Sequence, residues 1–283
     1  MLINLQEMLR YAAEKKIAVG SFNVYNVESL QAVVHTAQHL QSPVIISFGE
    51  AYDRHMPLEA MAELVKFYTA GADVPMVLHL DHSKETKVIF RALRAGFTSV
   101  MFDGSKAPLE ENIRMTRQIA DIAHALDVSV EGELGYMNPE DGSDSSGQPE
   151  EKSYTTVAAA KAYAASSGAD ALAIAIGNAH GIYQGTPRLD FVRLAEIRQA
   201  VEIPLVLHGS SGIPAELLQK AIRLGIRKIN INTEVSTAGI AAAREFLAVH
   251  KDKNTRFETM AKAAEEAMMT VIQEDIQCFS LVK

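Results

Sequence analysis

The sequence predicts a closed (β/α)8 barrel, the TIM-barrel architecture, from three observations. Short, nearly continuous apolar runs recur along almost all of the 283 residues. Helical patterns alternate with them, and most runs follow a Pro or Gly that breaks the preceding element. Eight such strand-then-helix units, at about 35 residues each, fill a barrel of typical size. Continuous rather than alternating apolarity suits strands buried on both faces of a parallel sheet. A doubly wound open sheet is the alternative that alternation alone permits.

The elements follow in order. A strand at Ile17–Phe22 opens the series, and Asn26 is a helix-start residue for Val27–Leu40. Pro43 precedes a strand at Val44–Phe48, which a helix at Leu58–Ala70 follows. Pro75 precedes the strand Met76–Leu80, and the next strand is Ser99–Phe102. Helix Glu110–Ala125 leads to strand Val128–Glu131. Thr155 and Thr156 start the alanine-rich helix Val157–Ser167, before strand Ala171–Ile176 and helix Leu189–Ala200. Strands Leu205–Leu207 and Lys228–Ile231 complete the eight. The expected organisation is therefore one barrel domain over residues 1–283.

One connection breaks the rhythm. After strand five runs GYMNPEDGSDSSGQPEEKSY, residues 135–154, dense in Gly, Ser, Pro and acids. Loops this long are functional lids or linkers. A lid is expected, because this one leaves a strand's carboxyl end, the active-site face of such a barrel, and strand six resumes the same barrel.

Composition excludes several functions. With 48% hydrophobic and 22% charged residues the chain is not disordered. It has no apolar run of the roughly 18 residues that span a bilayer. Its start, MLINLQEMLRYAAEKK, is amphipathic and unlike a signal peptide. The single cysteine, Cys278, cannot form an internal disulfide, and a reducing cytoplasm is expected. A net charge of −8, from 27 basic and 35 acidic residues without a basic stripe, argues against nucleic acid or an acidic membrane as partner. A small anionic substrate stays open, since backbone donors bind phosphate inside acidic proteins.

Polar residues gather where the strands end. These are His79-Leu80-Asp81-His82-Ser83, Phe102-Asp103-Gly104-Ser105, Glu131-Gly132-Glu133, Gly177-Asn178-Ala179-His180-Gly181, His208-Gly209-Ser210-Ser211-Gly212 and Asn230-Ile231-Asn232-Thr233. His82, His180 and His208 stand just beyond strands three, six and seven. Three imidazoles converging from different strands, with room for water or substrate, describe a catalytic Zn2+ site. Any one alone would be an ordinary hydrogen-bonded loop histidine. His79 shares a strand face with Asp81 and takes a supporting or packing role. His35 and His39, four apart on a helix, read as a solvated face, and Cys278 has no role. The turns Gly209–Gly212 and Asn230–Thr233 follow the last two strands, the usual phosphate position in this fold.

These motifs, HLDHS, MFDGS, EGELG, IGNAHG, HGSSGI and KININTE, resemble those of the class II ketose-bisphosphate aldolases, with the tagatose-bisphosphate branch and its relatives nearest. The resemblance runs from Gly20-Ser21-Phe22-Asn23-Val24 almost to Phe279. It implies that His82, His180 and His208 hold zinc, and that Asp81 is the acid for the aldehyde oxygen. Gly181, Gly209, Ser210, Ser211, Asn230, Ile231, Asn232 and Thr233 would bind dihydroxyacetone phosphate, with Asn230 beside its reacting carbons. Asp103 and Glu133 match acids used near the metal or as alternative ligands. A monovalent cation (Na+ or K+) and a homodimer or homotetramer are also implied. The lid departs from the family: Asn138 replaces a glycine and Pro139 stiffens the segment. The acid for the donor carbon is then Glu140 or Asp141, and the ketose is open. A Schiff-base aldolase would need Lys228 as nucleophile in an apolar pocket, which its neighbours do not suggest. A non-catalytic companion subunit would be expected to have lost Asp81 or a histidine.

Overall fold

The eight apolar runs pair in parallel in sequence order, β1 to β8, and β8 closes on β1. This computed structural model describes residues 1–135, 153–179, 181, 183, 187–251 and 254–281. The strands are β1 (Val19–Asn23), β2 (Val44–Gly49), β3 (Met76–Ser83), β4 (Ser99–Phe102), β5 (Ser129–Leu134), β6 (Ala171–Ile174), β7 (Leu205–Leu207) and β8 (Ile226–Ile231). The helices are α1 (Leu5–Lys15), α2 (Val27–Leu40), α3 (Leu58–Thr69), α4 (Thr86–Ala95), α5 (Leu109–His124), α6 (Val157–Ser166), α7 (Phe191–Ala200), α8 (Ala215–Arg223), α9 (Thr233–Val249) and α10 (Phe257–Phe279). A short 3-10 turn covers Glu50–Arg54. Among the described residues no helix is long and apolar enough to cross a membrane.

Local chemistry sets the boundaries. Asn26 caps α2 through a reciprocal capping box with Ser29. Thr156 caps α6, while the Thr155 hydroxyl turns instead to the Leu134 carbonyl. Lys16 ends α1 at φ 58°, so β1 starts at Val19 rather than Ile17. β5 and β6 pair directly, Glu131 with Ala171 to Leu134 with Ile174. Segment 135–154 therefore connects two neighbouring strands of the barrel. Most of it, residues 136–152, lies outside the described residues.

β3 differs most from expectation. It runs to Ser83, so Asp81 and His82 lie within the strand rather than beyond it. Its register against β4 shifts between Leu80 and Ser83, and His82 sits in that shift at φ 47°. Strict alternation would send neighbours to opposite faces. An irregularity of this kind re-aims a side chain, and here both Asp81 and His82 reach the barrel's mouth.

The interior is layered by polarity. At the floor, Val19, Ile45, Val77, Ala171 and Val206 cluster with Leu5, Met8, Leu9 and Ala12 of α1, which plugs the amino end. Two residues further along β1, β2 and β3 the interior turns polar. Ser21, Ser47, His79, Ser99, Glu131 and Lys228 are all fully buried. Asn23, Asp81, Glu133, His208 and Asn230 form the top layer, also buried. Outward strand positions such as Phe48, Leu80 and Ile231 pack with the helices in one large apolar cluster.

Candidate active site

The centre of the mouth is a pair of imidazoles. His82 Nε2 and His208 Nδ1 face each other at 2.9 Å. Behind each stands a carboxylate. His208 Nε2 is 2.8 Å from Glu131 Oε1; His82 Nδ1 is 3.5 Å from Asp103 Oδ2 and 3.7 Å from Glu133 Oε2. A carboxylate on the far nitrogen holds the proton there and leaves the near nitrogen with its lone pair. At 2.9 Å the two nitrogens either share a proton or, with both far nitrogens protonated, turn two lone pairs on one another, an arrangement that a bound cation would satisfy. Burial also pushes the His208 imidazole toward its neutral, ligating form. Two groups of donor atoms lie close enough to hold an ion: Asp81 with His82 and His208, and His82 with Asp103 and Glu133. Imidazole with carboxylate is a donor set that suits zinc. His180, expected as the third imidazole, lies outside the described residues, as do Glu140 and Asp141.

Asp81 is braced from both sides. Asn23 Nδ2 donates to its Oδ2 at 3.1 Å, and Asn230 Nδ2 to its Oδ1 at 3.1 Å. Burial raises this carboxyl, but His82 and Lys228 outweigh burial and hold it well below the usual range. Two amide donors fix its orientation and stabilise the ionised form. Asp103 is likewise held low: burial pushes it up, and bonds from His82 and Ser105 more than offset that.

Beneath this layer Lys228 connects the parts. Its Nζ lies 2.9 Å from Glu131 Oε2 and donates to Asn230 Oδ1 at 2.7 Å. One ammonium thus reaches His208 through Glu131, and Asp81 through Asn230. Glu131, which burial would raise, is drawn down to about 2 by Lys228 and the His208 hydrogen bond. Burial, helped by Lys228, pushes His79 down to about 3, so it is a neutral imidazole. Its Nδ1 pairs with Ser99 Oγ at 2.9 Å, and Nε2 lies between Asp81 and Glu131 at 3.9 and 3.8 Å. His79, expected to support or pack, lies in the layer beneath the mouth. Lys228, engaged by Glu131 and Asn230, is poorly placed as a Schiff-base nucleophile.

The late turns lie beside this centre. Gly209 and Gly212 have φ 57° and 85°, a conformation that favours glycine and lets the turn fold back tightly. The Ser210 hydroxyl donates to the Asn230 carbonyl, tying the two turns together. Tyr183 Oη donates to the Gly209 carbonyl at 2.7 Å and accepts from Ala179 N at 2.8 Å. Asn178 Nδ2 supports the His208 carbonyl at 3.0 Å. Gly181 stands at φ 88° on the rim. Ile231 packs its side chain into the outer apolar cluster, so only its backbone can serve the turn. His35 and His39 are exposed, and His35 pairs with Glu265 at 3.1 Å, away from this mouth. Cys278 is a half-buried free thiol.

Sequence reasoning did not assign Asn23, Glu131 or Lys228 to the site. The signal was present in the strand period. Glu131 shares a face with Glu133, Lys228 with Asn230, and Asn23 follows Ser21 by two.

A closed parallel barrel carrying facing imidazoles and a braced carboxylate at its carboxyl end is the arrangement of a (β/α)8-barrel enzyme. The family described as "Fructose-bisphosphate aldolase class-II" matches residues 3–282, and the chain belongs to it. It is a class II aldolase, a carbon–carbon lyase that performs aldol cleavage of a sugar phosphate. Among solved structures, the YdjI aldolase from Escherichia coli K12 is 35% identical with a TM-score of 0.87, covering 99% of this chain and 97% of that one. Fructose-bisphosphate aldolase from Campylobacter jejuni matches at 24% identity and a TM-score of 0.86, over 99% and 96% of the chains. That second likeness speaks for the fold alone.

Proposed function

We propose that this chain is a zinc-dependent aldolase cleaving a ketose phosphate to dihydroxyacetone phosphate and an aldehyde, and condensing them in reverse, in cytoplasmic carbohydrate catabolism. The observation that carries the reading is the facing pair His82–His208, each backed by carboxylate, with Asp81 held beside it. His82 and His208 would hold the ion together with His180, and Asp103 or Glu133 would offer alternative ligands. Bound there, zinc supplies a Lewis acid for the negative charge left on the donor oxygens when the bond breaks.

The chain's own residues do the rest. Asp81 takes the proton from the hydroxyl that becomes the aldehyde oxygen, and returns it in condensation. Asn23 and Asn230 keep that carboxylate aimed, and Asn230 lies beside the donor carbons. Gly181, Gly209–Ser211 and Asn230–Thr233 receive the donor phosphate through backbone amides and the Ser and Thr hydroxyls. Either Glu140 or Asp141 moves the proton at the donor carbon. Na+ or K+ assists at the phosphate, and the working form is a homodimer or homotetramer. Neither nucleic acid nor a membrane is a partner.

The test has two parts. Purified protein should carry about one zinc per chain, lose activity in chelator and regain it with zinc or cobalt. Metal-loaded protein given dihydroxyacetone phosphate and a panel of aldehydes should form condensation products that identify the ketose. Full activity in chelator, with borohydride inactivation in the presence of substrate, would return the Schiff-base alternative.

A further inference from the structure

The 3-10 turn Glu50–Arg54 has no part in the chemistry above, yet it is anchored at both ends. The Glu50 carboxylate accepts from Ser83 Oγ at 2.7 Å and Lys84 N at 2.8 Å. Asp53 accepts from Leu58 N at 3.0 Å and from the Arg91 guanidinium at 2.6 and 3.0 Å. Arg91 also reaches Glu59 at 2.8 and 2.7 Å. Forked, charge-assisted bonds of this kind fix direction as well as distance. The side chain so presented is Tyr52.

Its ring lies edge-on to Tyr25 and Phe48, with centroids 5.5 and 6.0 Å apart. Gly49 leaves it room, since a Cβ there would stand 3.2 Å from the ring. From β2 the side chain extends past β1 to the end of β8, where the Tyr52 hydroxyl accepts from Asn232 Nδ2 at 2.9 Å.

Asn232 is the N-cap residue of α9. Asparagine at such a position normally turns its Oδ1 to an amide of the first turn. Asn4 and Asn26 do so in this same chain, accepting from Glu7 N and Ser29 N at 2.9 Å each. Asn232, at φ −138° and ψ −65°, makes no side-chain cap hydrogen bond. Its amide goes to Tyr52 instead.

We propose that Tyr52 is a positioning residue for the aldol reaction, holding Asn232 off the first turn of α9 so that the Asn230–Thr233 turn stays open to the donor. The inference rests on the reading of that turn as the donor's phosphate site. Released from Tyr52, Asn232 would take the cap its counterparts take, on the amide three residues on at Val235, and its side chain would turn in over the start of α9 beside the amides that the phosphate would use.

Tyr52→Phe removes only the hydroxyl. The KM for phosphorylated donor should rise about fivefold, the worth of one competing cap, while kcat holds. The dissociation constant of inorganic phosphate, measured by calorimetry on metal-loaded protein, should rise by the same factor. In an Asn232→Gly background, where no side chain can cap, Tyr52→Phe should change neither value. An equal loss in both backgrounds, or no loss in the first, overturns the proposal. If wild-type protein binds no phosphate and uses dihydroxyacetone as well as its phosphate, the phosphate site itself is wrong and the proposal falls with it.

Discussion

Asp81 and Glu131 do different work on the two sides of the same mouth, and substitution separates them. With Asp81 proposed to serve the aldehyde oxygen, Asp81→Ala should abolish bond cleavage yet retain exchange of the donor's carbon-bound hydrogen with deuterated water. Asp141→Ala or Glu140→Ala should lose the exchange itself, by roughly 10²–10⁴ in rate. Exchange that survives in the double variant would assign that proton to another group. Ser211→Ala and Thr233→Ala should each raise the donor KM about tenfold, one charge-assisted bond apiece; unchanged kinetics in both would remove the phosphate assignment. Glu131 orients His208, so Glu131→Gln should weaken zinc affinity by about 10–100-fold in chelator competition. The same variant leaves Lys228 buried without its counter-charge. Adding Lys228→Met should recover stability but not metal affinity, because the lost stability belongs to the unpaired ammonium and the lost affinity to the imidazole. Recovery of both together would mean that Glu131 acts only by packing.

At the scale of elements, β3 and the α9–α10 pair carry the features that strand and helix patterns do not encode. HLDHS read as a strand end with residues trailing beyond it; the strand instead continues, and the shift at His82 brings consecutive residues to one mouth. Periodicity cannot show this, because the irregularity is set by pairing with β4. In α10, Asp275 has an enclosed Oδ2 with no hydrogen-bond partner among the described residues. Burial, with Glu234 and Glu274 nearby, pushes its carboxyl up to about 8. The folded state therefore keeps a proton that the unfolded chain gives up near pH 4, and stability should fall as pH rises from about 4 to 8. Asp275→Asn should flatten that slope and raise the melting temperature at pH 8, with little effect at pH 4. A wild-type profile that is flat across this range, or an unaltered slope in the variant, would count against the protonated carboxyl.

At the scale of the whole molecule, the barrel is closed below by α1 and polar above it. Leu9 is fully buried in that floor, so Leu9→Ala should cost about 2–5 kcal/mol in denaturant unfolding. A cost below about 1 kcal/mol would mean that α1 is not part of the cooperative unit. Light scattering should return a multiple of 30.8 kDa if the chain works as a dimer or tetramer. The sequence by itself determined the alternation of eight strands with helices, the acidic charge, and the gathering of His82, Asp103, Glu133, His208 and Asn230 at strand ends. These are properties of local pattern, and apolar period, Pro and Gly breaks and cap residues are written residue by residue. Only the tertiary structure decided that Glu131 backs His208, that Lys228 joins Glu131 to Asn230, and that Tyr52 reaches Asn232. The Glu131–His208, Glu131–Lys228 and Tyr52–Asn232 contacts join residues far apart in the chain, and closure of the barrel is what brings their strands to one mouth. The strength of each then depends on burial, which removes water as a competitor and which no single stretch of sequence expresses.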